Sequence, residues 1–140
     1  MNKTAFVLIA AFASAAAHAQ VTVDKPWVRT TVAQQTTTAA YLTITSARGG
    51  RLVAASSPAA ASVDVHEMKM AGDMMKMRAV DALALPAGKP VEFKPNGYHL
   101  MMMGLKAPVK AGDVVPIKLV VEDAKGNRET VDVKATARLN

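Results

Sequence analysis

The sequence contains no cysteine, and this absence excludes several kinds of site at once. Without a thiol the chain has no thiolate nucleophile, no zinc–thiolate centre and no blue-copper ligand set, which requires a Cys. Disulfides cannot form, so the fold must depend on packing alone. A lipobox cysteine is missing as well, and we therefore expect no lipoprotein anchor.

Aromatic residues are also few, at 4% of the chain, and no dense run of basic residues occurs although the net charge is +6. Nucleic-acid binding uses a clustered basic face with rings on which bases stack, so no nucleic-acid partner is expected. We find no nucleophile–base pair, phosphate-binding loop or paired carboxylates, and we expect the protein not to be an enzyme. Glu67, Asp73 and Asp81 are interpreted as solvated carboxylates.

The first nineteen residues have the features of a cleavable signal peptide. Lys3 precedes an apolar stretch from Phe6 to Ala17, and Ala17-His18-Ala19 has the small residues of a signal-peptidase site. We expect cleavage after Ala19 and export to the periplasm. The apolar stretch is short and no second one follows, so stable membrane insertion is not expected. Residues 20–140 are long enough for a single domain and too short for two.

Short strand-like runs separated by Gly, Pro, Asn and Asp turn signals fill the remainder of the chain. Val131 and Val133 alternate with Asp132 and Lys134, which is typical of an antiparallel strand buried on one face. The sequence predicts an all-β fold, an antiparallel sandwich or barrel. The predicted strands are 21–23, 27–31, 40–45, 51–55, 62–69, 75–80, 91–93, 99–103, 114–121 and 130–135.

Histidine and methionine are clustered together. After the leader the chain has His66 and His99, and every remaining methionine lies close to one of them. Methionine that merely fills gaps in a core would be spread over all the strands. The methionines are Met68, Met70, Met74, Met75, Met77, Met101, Met102 and Met103.

Thioether and imidazole donors together favour Cu(I) over hard cations and over zinc. Side chains two apart share a face of a strand, so His99, Met101 and Met103 should lie on one face and Met102 in the core. The turn at Ala71-Gly72-Asp73 predicts a hairpin that brings Met77 near His66. Met68 and Met70 share the face of His66, so either could replace a ligand or shield the ion.

The spacing of these residues resembles the periplasmic copper chaperone family of PCuAC type. Its signature is a His, ten residues, a Met, twenty-one residues and then His-x-Met. In this chain His66, Met77 and His99-Leu100-Met101 stand at those intervals, and the similarity extends from about Trp27 onward.

The resemblance implies a cupredoxin-like Greek-key β-sandwich or barrel that binds one Cu(I) per chain. Its implied ligands are His66, Met77, His99 and Met101. It also implies delivery of copper to an acceptor, either subunit II of cytochrome c oxidase or another copper chaperone. Some relatives carry a His/Met-rich C-terminal tail for a second copper, and residues 133–140 contain neither residue.

Two other functions remain open on the sequence. A cupredoxin-type electron carrier is disfavoured because its copper site depends on a thiolate. A non-metal envelope module would use the methionines for packing or as targets of oxidants. Trp27 is expected in the core, and Tyr98 either beside the site or at a sheet edge.

Overall fold

The computed structural model describes residues 20–139, which form ten strands and no helix. No helix capable of crossing a membrane therefore occurs in this part of the chain. The predicted signal peptide, residues 1–19, lies outside the described residues. The strands are β1 Val21–Arg29, β2 Thr37–Ser46, β3 Gly50–Ser56, β4 Ala60–Ala71, β5 Met74–Ala79, β6 Leu83–Leu85, β7 Val91–Glu92, β8 Tyr98–Leu105, β9 Val114–Glu122 and β10 Arg128–Arg138.

Seven strands close into a barrel in the order β4-β8-β2-β1-β10-β9-β3, and β3 returns to β4. Closure between β3 and β4 rests on the pair Ala55 and Val63. The three shorter strands lie outside this ring, with β5 on β4, β6 on β3 and β7 on β2. A closed ring leaves few unpaired strand edges, which are otherwise sites of aggregation.

The barrel interior is built from alternate residues of each strand, because successive side chains point to opposite faces. Along β9, Val115, Ile117, Leu119 and Val121 are buried while the residues between them are more exposed. Val133 of β10 lies directly across from Ile117. The predicted one-sided burial of these strands is confirmed, and no disulfide is needed to hold the core.

The expectation of a purely antiparallel barrel was wrong at one position. Strands β1 and β10 pair in parallel, with Trp27 beside Thr136. The alternation of side chains along a strand is the same in both pairing directions, so it does not report direction.

The division into strands differs from the prediction in two places, and most strands are longer than predicted by one to a few residues at their ends. The first two predicted strands are one strand, β1, because its halves pair with β2 on either side of a bulge between Asp24 and Trp27. Strand β6 was not predicted, since three residues are too few to show a period.

Candidate metal centre

His66 and His99 lie opposite each other on β4 and β8. Directly paired residues in antiparallel strands share a face, so both imidazoles lie on the outer face of the barrel wall. Their ring centroids are 5.7 Å apart and the rings meet edge to face. The next residue, Leu100, faces the interior and is fully buried, which fixes the orientation of β8.

The hairpin predicted from Ala71-Gly72-Asp73 is confirmed. Gly72 adopts a positive φ of 63°, the conformation that a two-residue turn with glycine first requires. The hairpin sets Met68 of β4 directly across from Met77 of β5. Because β5 pairs with β4, it carries Met77 towards the two histidines.

His99 is held in one orientation by its own turn. Its Nδ1 lies 3.2 Å from the carbonyl oxygen of Gly97, and its Nε2 lies 3.3 Å from the sulfur of Met77. A carbonyl oxygen only accepts, so in the neutral ring Nδ1 carries the proton and Nε2 keeps its lone pair. Two lone pairs therefore face each other between Nε2 and the thioether, an arrangement that a cation between them would stabilise.

The spacing of these two atoms suits a single bound ion. Metal bonds of about 2.0–2.1 Å to nitrogen and about 2.3 Å to sulfur, as in zinc sites, together exceed the 3.3 Å that separates Nε2 from the Met77 sulfur. One ion could therefore touch both at a bent angle. A hydrogen bond from the other ring nitrogen to a backbone carbonyl is the usual way in which metal-binding histidines are oriented.

His66, like His99, has a ring nitrogen that no hydrogen-bond donor or acceptor of the protein satisfies. Its Nδ1 is buried and has no hydrogen-bond partner. A buried polar nitrogen without a partner is costly and uncommon in native structures, and a bound ion is one of the groups that can satisfy it. The chemistry of the donors present therefore fits a soft monovalent metal ion.

Met101 shares the outer face with His99 and lies across from Ala39 of β2. His99, Met101 and Met77 line one cavity of about 270 Å³, together with Met68. His66 is not among the residues that line it, and approaches the site through its contact with His99. Three of the four residues predicted from the sequence thus surround one space, and the fourth adjoins it.

The burial of these donors is uneven. His99 is 6% exposed, whereas the side chain of Met77 is 51% exposed. Burial lowers the pKa of His99 below its usual value, the nearby His66 and Arg29 act in the same direction, and the bond to Gly97 opposes them. The net lowering favours the neutral ring, in which Nε2 is available to a metal.

The remaining methionines differ in burial according to the face of the strand on which they lie. Met102 points into the barrel and is fully buried, which confirms its prediction as a core residue. Met103 is half-buried on the face of Met101. Met70, Met74 and Met75 are exposed on the hairpin.

Arg29 is a residue of the site that sequence reasoning missed. It lines the cavity beside Tyr41, its Nε is buried without a partner, and its guanidinium lies 5.6 Å from the Tyr41 ring. Its neighbour Trp27 is half-buried against Tyr41 on the outer face instead of in the core, at 4.6 Å between ring centroids. No local signal marked Arg29, because its place depends on β1 and β2 being neighbours.

The carboxylates do not join the site. Glu67 pairs with Arg78 at 3.2 Å, and Asp73 and Asp81 are exposed. Tyr98 packs on Phe93, with ring centroids 5.9 Å apart. No group of three or more His, Cys, Asp or Glu side chains suited to a metal occurs in residues 20–139.

The chain is similar to known proteins over most of its described length. The family model described as "Putative lipoprotein LpqE-like" matches residues 21–135. Protein Lxx21020 of Leifsonia xyli subsp. xyli, also described as a lipoprotein, is 34% identical over 117 residues, which are 81% of this chain and 69% of the relative. Protein RP573 of Rickettsia prowazekii is 31% identical over 124 residues, or 84% of this chain and 67% of the relative.

Solved structures show the same fold. The solution structure of Cu(I)-bound DR1885 from Deinococcus radiodurans has a TM-score of 0.67 and 32% identity, covering 91% of this chain and 84% of that one. The copper-bound PCuAC domain from PmoF2 has a TM-score of 0.65 at 22% identity, covering 86% and 95%. The all-β, cupredoxin-like fold and the resemblance to PCuAC-type proteins are therefore confirmed.

Proposed function

The chain belongs to the LpqE-like family, which is of PCuAC type, and from this premise we propose that it is a copper chaperone. It binds one Cu(I) ion per chain and passes the ion to an acceptor protein. The ligands are His66, Met77, His99 and Met101.

The observation that carries this proposal is the contact between His99 and Met77. Nε2 of His99 and the Met77 sulfur lie 3.3 Å apart with no proton to share, while Nδ1 is engaged by Gly97. The buried, partnerless Nδ1 of His66 adds a second donor nearby. Neutral nitrogen and thioether donors select Cu(I) over harder ions.

The uneven burial of the donors supports a transfer role. His99 is almost fully buried and anchors the ion, whereas the exposed Met77 can leave first as an acceptor ligand enters. All the donors are neutral, so the bound ion keeps its single positive charge and no thiolate holds it back. Exchange of ligands one at a time moves the ion without a change in oxidation state.

Residues 1–19 direct export of the chain and are removed after Ala19. The exchange of copper then takes place in the periplasm. The acceptor is the copper centre of cytochrome c oxidase, on its subunit II, or a second copper chaperone. This destination follows from the resemblance to PCuAC-type proteins. It is tested by mixing the Cu(I)-loaded chain with the metal-free copper domain of subunit II under anaerobic conditions, separating the two proteins and measuring the copper bound to each.

Met77→Leu and Met74→Leu form a matched pair for testing the ligand set. Both methionines lie on β5, and they are 51% and 65% exposed. In an anaerobic competition titration, Met77→Leu should weaken Cu(I) binding by at least about tenfold, or about 1.4 kcal/mol, and Met74→Leu should leave it unchanged. X-ray absorption of the wild-type complex should show two sulfur and two nitrogen donors. Equal affinity of the two variants would remove Met77 from the site.

A further inference from the structure

Where β4 and β5 pair, between His66 and Ala79, one face of the hairpin carries no charged side chain. Asp64 lies on the same face of β4 but before this paired region, across from Met101. In register, Met68 lies across from Met77 and Met70 lies across from Met75. We call these four residues the methionine face. On the opposite face the same two strands carry charged residues instead, which are Glu67, Lys69, Lys76 and Arg78.

The methionine face is continuous with the proposed copper site. Met68 and Met77 line the cavity that contains His99, and Met70 and Met75 follow two residues further along each strand. Two residues of strand advance about 7 Å, so the second pair lies about one side-chain length beyond the first. Directly opposed Cβ atoms are about 4.5–5.5 Å apart, within reach of two flexible thioethers that share one ion.

The exposure of the outer pair is unusual for apolar residues. Met70 is 57% exposed and Met75 is 42% exposed. In the barrel wall the chain fills its apolar positions mainly with Val, Leu, Ile and Ala, and buries them. Exposed methionine on an uncharged face is a soft ligand set that a monovalent soft ion can reach from solvent without repulsion from a neighbouring cation.

We propose that Met70 and Met75 hold a second, weaker Cu(I) position, through which the ion enters and leaves the His99 site. A bond from each thioether to Cu(I) forms as a bond to the donor or acceptor molecule breaks, and copper stays in the +1 state throughout. Met68 and Met77 then take the ion from this position towards His99. The identity of the ion rests on the proposed function, and the position itself rests on the hairpin register.

Methyl resonances of the methionines, labelled with ¹³C, separate the two positions in an anaerobic Cu(I) titration of the full mature chain. The first equivalent should shift the methyl signals of Met77 and Met101. A second equivalent should shift those of Met70 and Met75 and leave Met74 unmoved. Met74 is the internal control, since it lies at the hairpin tip and is 65% exposed but points to the opposite face.

The double variant Met70→Leu/Met75→Leu should lose the second step and weaken that binding at least about tenfold. Its first step should stay within about twofold of wild type, and the Met74→Leu variant should retain both steps. Leucine matches methionine in volume at these exposed positions, so folding is preserved.

The outcomes distinguish the two proposals. If Met74 shifts as strongly as Met75, or if the second step survives in the double variant, the outer position is overturned and the exposed methionines are a general contact surface. If Met70 and Met75 shift while Met77 and Met101 do not, the outer position stands and the ligand set of the proposed function fails.

Discussion

Strand β8 places methionine on both of its faces, and the two faces differ in what surrounds them. Met102 points into the barrel among apolar side chains and is fully buried. Met101, its neighbour in sequence, lies half-buried on the outer face with His99, and the two residues line one cavity. The residue type is therefore not enough to assign a role, whereas its position in the alternation of the strand is.

The largest effect is expected on the inner face, from Met102→Ala. Removing a fully buried side chain leaves a cavity and should lower the free energy of unfolding by about 2–5 kcal/mol. Urea denaturation of the metal-free variant measures this loss. Cu(I) affinity of the folded fraction should be unchanged, and a parallel loss of affinity would mean that the two faces are coupled.

A smaller effect, on binding instead of stability, is expected from Met101→Ile on the outer face. The change conserves volume and should cost less than about 1.5 kcal/mol of stability. Cu(I) affinity should fall by about 10- to 100-fold, or about 1.4–2.7 kcal/mol, because a ligand is lost. The competition titration used for Met77 measures it.

Met103→Ile is the matched control, because Met103 lies on the same face of the same strand and is also half-buried. It should bind Cu(I) as tightly as wild type. Unchanged affinity in the Met101 variant, or an equal loss in the Met103 control, would contradict the division of ligand and rim residues along β8.

The smallest effect is expected outside the proposed copper site. Glu122 of β9 receives hydrogen bonds there from Arg51 at 2.8 Å and from Arg128 at 3.2 Å. These arginines, Arg51 foremost, hold the pKa of the Glu122 carboxyl below its usual value. The pKa of Glu122 is thus lower in the folded state than in the unfolded state. The two ion pairs therefore stabilise the fold at a pH above the unfolded-state pKa, and this stabilisation is lost as the pH falls through the folded-state pKa.

In wild type the urea midpoint of unfolding should fall between about pH 6 and pH 3, and in Glu122→Gln it should fall less steeply. Near neutral pH the midpoint of the variant should differ only slightly from wild type, because the two ion pairs lie at the surface. Asp132→Asn, at an exposed carboxylate of β10, should keep the wild-type slope. If the two variants decline with the same slope, the ion pairs of Glu122 do not contribute to acid sensitivity.

Much of the site could be predicted from the sequence because its elements are local. The alternation of β8 separates Met101 from Met102, and Gly72 marks the turn that sets β5 beside β4. The shared face of His66 and Met68 likewise follows from the period of a strand. The assignment of His66, Met77, His99 and Met101 as the ligands stays a prediction that the titrations above test.

The parts that could not be predicted depend on which strands are neighbours. Arg29 reaches the cavity only because β1 lies beside β2, and the period of β1 carries no information on its partner. For the same reason the sequence predicts Trp27 in the core. In the structure its ring packs on Tyr41 on the outer face of the barrel, and the ring centroid lies 4.3 Å from Cζ of Arg138. The parallel pairing of β1 with β10 joins distant segments and leaves no local trace.

That parallel pair has a consequence for the order of events in folding. Trp27 meets Thr136, so the wall of the barrel is completed by residues more than a hundred positions apart. Pairing across such a separation has a high entropic cost before any contact compensates it, and chains of this kind fold slowly. The barrel cannot be completed until nearly the whole chain is present, so a chain exported during or after synthesis would remain unfolded until its last strand arrives.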